Sequence, residues 1–162
     1  MPTSTELIKE LREKTGAGIM ECKRAIEDAT GDLTRAEQLI KERGLANAEK
    51  KAGREAGQGL IESYIHAGRI RAMIELNCET DFVARTDDFK LLAREIAMQV
   101  AATNPSRISS KEESTDGDVP LLDQPYIRDA SKTVQDLLNE TIARVRENIV
   151  VRRFARFEVG GQ

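Results

Sequence analysis

The sequence is poor in aromatic side chains. Among 162 residues there are four Phe, two Tyr and no Trp. Single-stranded nucleic-acid binders stack bases on aromatics along a basic groove, so this composition argues against that class. There is one histidine, His66, which leaves no pair for a histidine-based triad or metal site. Two cysteines, Cys22 and Cys78, are too few for a disulfide scaffold and lack paired metal-ligand spacing. They read as reduced thiols in a cytoplasmic protein. No apolar run approaches the ~20 residues of a membrane-spanning helix. The segment from Met1 to Glu6 has no basic region followed by an apolar stretch, so no secretory signal is expected. No G-x-x-x-x-G-K-[ST] occurs, and no phosphate-cradling loop is expected in this chain.

Charge is plentiful but balanced. Charged residues make up 33% of the chain and apolar residues 40%, with a net charge of −3. These are values for a globular chain of ordinary domain size. The distribution is uneven, however. Arg107 and Lys111 are outnumbered by Glu112, Glu113, Asp116, Asp118 and Asp123 in a Ser/Asp/Gly/Pro-rich stretch that reads as a solvated connector. Arg144, Arg146, Arg152, Arg153 and Arg156 then make the end of the chain basic. Strand alternation places Arg152 and Arg156 on one face and Arg153 on the other, which spreads this charge and disfavours a nucleic-acid footprint.

Helical punctuation dominates the first 44 residues. Thr3 and Glu6 have capping-box spacing, and Leu7, Ile8 and Leu11 form an apolar stripe that Gly16 and Gly18 stop. Ile19, Cys22, Ile26 and Ala29 predict a second helix ending at Gly31. Asp32 caps a third, with Leu33, Ala36, Leu39 and Ile40 inward and Gly44 just past its end. Residues 1–45 are thus expected as a three-helix domain, and 46–56 as an exposed, partly helical linker.

From residue 57 the period changes. Leu60 to His66 and Ile70 to Asn77 alternate around Ala67-Gly68 and predict a hairpin. Thr86, Asp87 and Asp88 open a helix with Phe89, Ala93, Ile96 and Val100 along one stripe. A further helix is expected from about Asp129 to Glu147, and a last strand from Ile149 to Glu158. The fold class is α+β, with a small antiparallel three-stranded sheet covered on one face by helices over residues 57–162.

Catalytic or metal-binding constellations are not evident. Gly16-Ala17-Gly18 is half of a dinucleotide fingerprint, but Glu21 occupies the third glycine position and a helix precedes it. The oddest segment is Asn77-Cys78-Glu79-Thr80-Asp81-Phe82-Val83-Ala84-Arg85, between a predicted strand and a predicted helix. There Phe82 is either a staple for the following helix or an exposed wedge. The last strand carries apolar residues on both faces, among them Val150, Phe154 and Phe157. Pairing with a second copy would bury the face that the helices leave open.

Three segments carry a resemblance. Leu11 to Ile26, Asn77 to Arg85 and Glu147 to Phe154 resemble, in order, the three signatures of the elongation factor Ts family. The resemblance implies an exchange factor, without bond chemistry, cofactor or bound nucleotide of its own, for the GTPase elongation factor Tu. It implies a ubiquitin-associated-like N-terminal unit that contacts Tu through Arg12, Ile19 and Met20. It also implies that Asp81 and Phe82, flanked by Thr80 and Val83, enter Tu beside its Mg²⁺ site. Tyr64 to Arg69 resembles the family hairpin whose histidine, here His66, approaches another domain of Tu. One core repeat resembles the short members, which work as homodimers, with no nucleic acid or membrane partner. The stretch Thr103–Arg128 is shorter than the helical excursion that short members can carry. A ubiquitin-associated-like interaction module without exchange activity is the alternative.

Overall fold

The computed structural model describes residues 2–113 and 117–161. The expected acidic connector falls partly outside them, at Asp116. Three helices open the chain: α1 (Ser4–Thr15), α2 (Ile19–Asp28) and α3 (Leu33–Lys51). Thr3 and Glu6 form the full capping box on α1, and Gly16 ends it in the left-handed conformation at φ 70°. Leu11, Cys22, Ala25, Ile26, Ala36 and Ile40 form a core of their own.

Gly44 does not end α3, which continues to Lys51. A glycine inside a helix costs about 1 kcal/mol relative to alanine. The following Ala46, Ala48, Glu49, Lys50 and Lys51 include strong helix formers. The extension also packs against the rest of the molecule, with Ala48 touching the larger core.

That larger core lies between a sheet and two helices. Strands β1 (Gln58–His66), β2 (Ile70–Cys78) and β5 (Ile149–Glu158) form an antiparallel sheet in the order β1-β2-β5. Helix α4 (Asp81–Ala84) is a single turn, followed by α5 (Asp87–Thr103) and, later, α6 (Val134–Val145). Phe89, Leu92, Ala93, Ile96, Ala97 and Val100 of α5 are buried with Ala72, Ile74 and Leu76 of β2. The alternating hydrophobic pattern of β2 is thereby explained: one row faces a helix and the other does not.

Asp129 does not begin the fifth long helix. Residues Asp129–Thr133 are β4, paired with β3 (Pro125–Tyr126), and α6 starts only after the Thr133–Asp136 capping box. Asp129 instead accepts hydrogen bonds from the Ser131 amide and hydroxyl, which holds the chain in a turn. The small ribbon is tied to α5 by Gln99, whose amide donates to Gln124 and Pro125 and accepts from Ile127. Buried Tyr126 donates to Glu95, which also pairs with Arg128 at 3.1 Å. Burial, and then that carboxylate, hold the Tyr126 hydroxyl protonated far above its ordinary range.

A register shift opposite Glu75/Leu76 changes β5 midway. Val151 pairs Leu76 and Arg153 pairs Glu75, so Arg152 is the extra, bulged residue. The simple alternation of Arg152 with Arg156 is therefore broken. Arg156 turns to the helix side, where its Nε donates to the Ala101 carbonyl at 3.1 Å. Phe154 likewise packs on the large core. Val150 and Phe157 remain on the open face, joined by Ile61, Ile65 and Met73, all exposed. Of the three residues expected to meet a second copy, Phe154 is thus on the covered side.

Candidate functional site

Two exposed apolar features stand out, and each has a local cause. The first is at the α1–α2 turn. Gly16 reverses the chain, Gly18 leads into α2 without a side-chain cap, and Ile19 and Met20 occupy the first helical turn. Cys22, Ala25 and Ile26 take the inward face, which leaves Ile19 and Met20 in solvent at 54% and 59% exposure. Arg12, one position from fully buried Leu11, is exposed and lines the same broad groove as Ile19 and Met20. The structure therefore brings Arg12, Ile19 and Met20 together on one surface. Cys22 is buried under that surface, and desolvation raises its thiol above the ordinary range.

The second feature is α4. Thr80 is its N-cap, accepting from the Val83 amide, while Val83 and Ala84 are buried in the large core. Asp81 and Arg85 pair at 3.0 Å on the surface, an i,i+4 contact worth only a few tenths of a kcal/mol. Phe82 points outward and is 77% exposed. A hydrophobic staple would be packed against the next helix, so the staple reading of Phe82 is excluded. Phe89, not Phe82, is the aromatic that anchors α5.

The turn before α4 is closed by residues far away in sequence. The amide and hydroxyl of Thr80 donate to the two carboxylate oxygens of Glu147 at 2.9 and 2.8 Å. Beside them Glu79 accepts from the Asn148 amide at 2.8 Å, and the Asn148 side chain donates to the Arg54 carbonyl. Cys78 donates its thiol proton to the Thr80 carbonyl. Burial, and after it the nearby Glu147 carboxylate, push that thiol up to about 11. Both cysteines are free and buried.

His66 lies elsewhere. It ends β1 at the hairpin, where Ala67 and Gly68 both have positive φ, and its Nδ1 is 3.0 Å from the Tyr64 hydroxyl. The nine residues of β2 separate this hairpin from Thr80, a span of about 26–30 Å. His66 and Phe82 are thus at opposite ends of one sheet. Among the described residues, no group of His, Cys, Asp and Glu is placed to hold a metal, and no helix is long and apolar enough to cross a membrane.

The sequence that builds these features matches a known family. The profile described as Elongation factor TS matches residues 20–117 and 79–162. The chain belongs to the elongation factor Ts family, a family of translation elongation factors. It is similar to the elongation factor Ts of Thermoanaerobacter sp. (strain X514), with 47% identity over 193 aligned positions, 97% of this chain and 95% of that one. The elongation factors Ts of Thermodesulfovibrio yellowstonii and Coprothermobacter proteolyticus are 44% and 45% identical, each over 99% of this chain. All three alignments exceed the 162 residues of the chain, so these members of the family carry segments that it lacks.

Sequence reasoning missed Glu147, Asn148 and Arg54 as parts of the site. Glu147 and Asn148 stand in a recognisable motif, but nothing local says that the motif closes on Thr80. Two motifs separated by more than sixty residues, each with polar groups flanking a strand end, were the available signal.

Proposed function

We propose that the chain is a guanine-nucleotide exchange factor that binds elongation factor Tu·GDP and promotes release of GDP. Phe82 carries this reading: it is a large apolar side chain held in solvent by a turn whose other apolar residues are buried. In the proposed mechanism Asp81 and Phe82 press between helices of Tu beside its Mg²⁺ site; Val83, expected at that contact, is buried in the chain's own core and with Thr80 holds the turn from behind. Mg²⁺ and backbone amides supply much of the affinity for a nucleotide's phosphates, so shifting those helices loosens GDP. Arg12, Ile19 and Met20 dock on Tu and pay part of the binding cost, and His66 approaches a second region of Tu. The chain itself makes or breaks no bond and carries no nucleotide. Linkage makes the effect reciprocal: GDP weakens binding of the factor by the same ratio.

The separation of His66 from Phe82 supports a two-protomer arrangement. Each Tu would meet the Phe82 wedge of one protomer and the His66 hairpin of the other. The open face of the sheet, with Ile61, Ile65, Met73, Val150 and Phe157, suits packing against a second copy. The setting we propose is the cytoplasm, with neither membrane nor direct nucleic-acid contact.

The test is release of labelled GDP from purified Tu with and without the chain. Acceleration by the wild type that is lost in Phe82→Ala supports the wedge. Binding to Tu without acceleration would leave an interaction module of the ubiquitin-associated kind, and no acceleration sinks the exchange reading.

A further inference from the structure

We propose that Glu147 is a positioning residue for Phe82, acting through Thr80 to hold the wedge in the direction needed for exchange. The proposal rests on the exchange reading above. A helix of one turn has no stability of its own, because nucleation fixes several residues for one hydrogen bond. Helix α4 is therefore held from outside. Burial of Val83 and Ala84 supplies one support, but it is on the α5 side of Phe82. On the other side the chain leaves β2 at Cys78 and passes through Glu79 and Thr80 in two residues.

Glu147 closes that second side. Both of its carboxylate oxygens are used, one by the Thr80 amide at 2.9 Å and one by the hydroxyl at 2.8 Å. The hydroxyl has a second role, accepting from the Val83 amide at 3.3 Å. Donation to Glu147 thus leaves the oxygen's lone pairs for the helix cap, and the two bonds support each other. Glu79 and Asn148 add a parallel link of 2.8 Å between the same two segments. The result is a turn supported on both flanks of Phe82, with the phenyl ring free between them.

Such support matters for a wedge. A side chain that must separate two packed helices gains nothing from contacts it makes while swinging on a mobile loop. The cost of ordering that loop is subtracted from the binding energy. Preorganisation by Glu147 removes that cost before Tu is met. Glu147 need not touch Tu for this.

The experiment uses the full chain with purified Tu and fluorescent GDP, comparing wild type, Glu147→Ala, Glu147→Gln, Phe82→Ala and the double variant Glu147→Ala/Phe82→Ala. Release is followed at several concentrations of the chain, with thermal melts as a folding check. We expect Glu147→Ala to slow saturated release at least fivefold. Glu147→Gln should fall between it and wild type, since an amide keeps one acceptor and turns a donor toward the other Thr80 group. The double variant should match Phe82→Ala, because a positioning residue has no effect once its object is gone. In the free chain, amide hydrogen exchange at Thr80 should accelerate in Glu147→Ala while that of β2 and α5 stays unchanged. Glu147→Ala within twofold of wild type, or losses that multiply in the double variant, would overturn the proposal. If Glu147→Ala does not fold, Glu147→Gln decides by the same criteria. Wild type that fails to release GDP overturns the exchange reading itself, and only that result does so.

Discussion

Gly16 and Arg144 are in close contact across the two halves of the molecule: a methyl group built on Gly16 would lie 2.6 Å from Arg144 Nη1. Arg144 belongs to α6, where it also approaches Asp88 at 3.8 Å. Together with the Lys41–Asp136 pair at 3.3 Å, this contact seats the α1–α2 turn against α6. The surface of Arg12, Ile19 and Met20 is therefore held relative to the sheet by more than the continuity of α3. Gly16→Ala meets two penalties. The left-handed φ of 70° costs a side chain about 1–2 kcal/mol, and the Arg144 guanidinium must move aside. Urea unfolding should show a loss of about that size, and Arg144→Ala in the Gly16→Ala background should recover part of it.

Phe82→Ala separates function from stability. Truncating an exposed side chain changes stability by no more than about 0.5 kcal/mol. The thermal midpoint should stay where it is. The rate of GDP release from Tu should fall by roughly thirtyfold, the size of an interface hot spot worth about 2 kcal/mol. A matching drop in thermal midpoint would mean that Phe82 packs within its own chain.

Phe157→Glu tests the open face of the sheet. Phe157 is 73% exposed and pairs Arg71 of β2. If the face is covered by a second copy, wild type should sediment at twice the 18.0 kDa mass of the chain. A carboxylate placed there, opposite Arg71, should weaken association by about tenfold or more, since desolvating a charged pair in place of an apolar ring costs more than their attraction returns. The circular dichroism spectrum should be unchanged. Wild type that sediments as a monomer at micromolar concentration would reject the face as an interface.

Cys78 predicts an alkaline loss of stability. Its folded thiol titrates near 11, above the ordinary value of 9.0. The sign follows from linkage: above pH 9 the unfolded chain loses the proton while the folded one keeps it. The thiol therefore makes stability decline from about pH 9 to pH 11 and has no effect below pH 8. Urea midpoints at pH 8 and 10.5 should converge more in Cys78→Ala than in wild type. At pH 8, native Cys78 should also react with a thiol reagent far more slowly than the unfolded chain.

How much was legible in the sequence depended on range. Thr3, Asp32 and Thr86 cap helices where their spacing predicted, because a cap is a bond across three residues. The Ala67-Gly68 turn and both hairpin strands were likewise readable. Gly44 misled because packing of α3 on α6 outweighs one residue's propensity. Asp129–Thr133 misled because a polar ribbon has no apolar alternation to reveal it. The bulge at Arg152 depends on a partner strand over seventy residues away, so Phe154 could not be given its face from β5 alone. Phe82 was singled out by its position, but the residues alone left staple and wedge open, since the two differ only in what surrounds them, and only the family resemblance favoured the wedge. Its supports were invisible for the same reason, being contacts between distant segments.

The Thr80–Glu147 contact also sets a clock. Its partners are 67 residues apart, so at 5–20 residues per second Thr80 is made roughly 3–13 s before Glu147. During that interval the nascent chain carries Phe82 on a turn with one flank unsupported, and β2 lacks its β5 neighbour. An emerging chain therefore lacks both the Thr80–Glu147 closure and the third strand of the sheet, and the turn that bears Phe82 is completed only when the end of the chain is made.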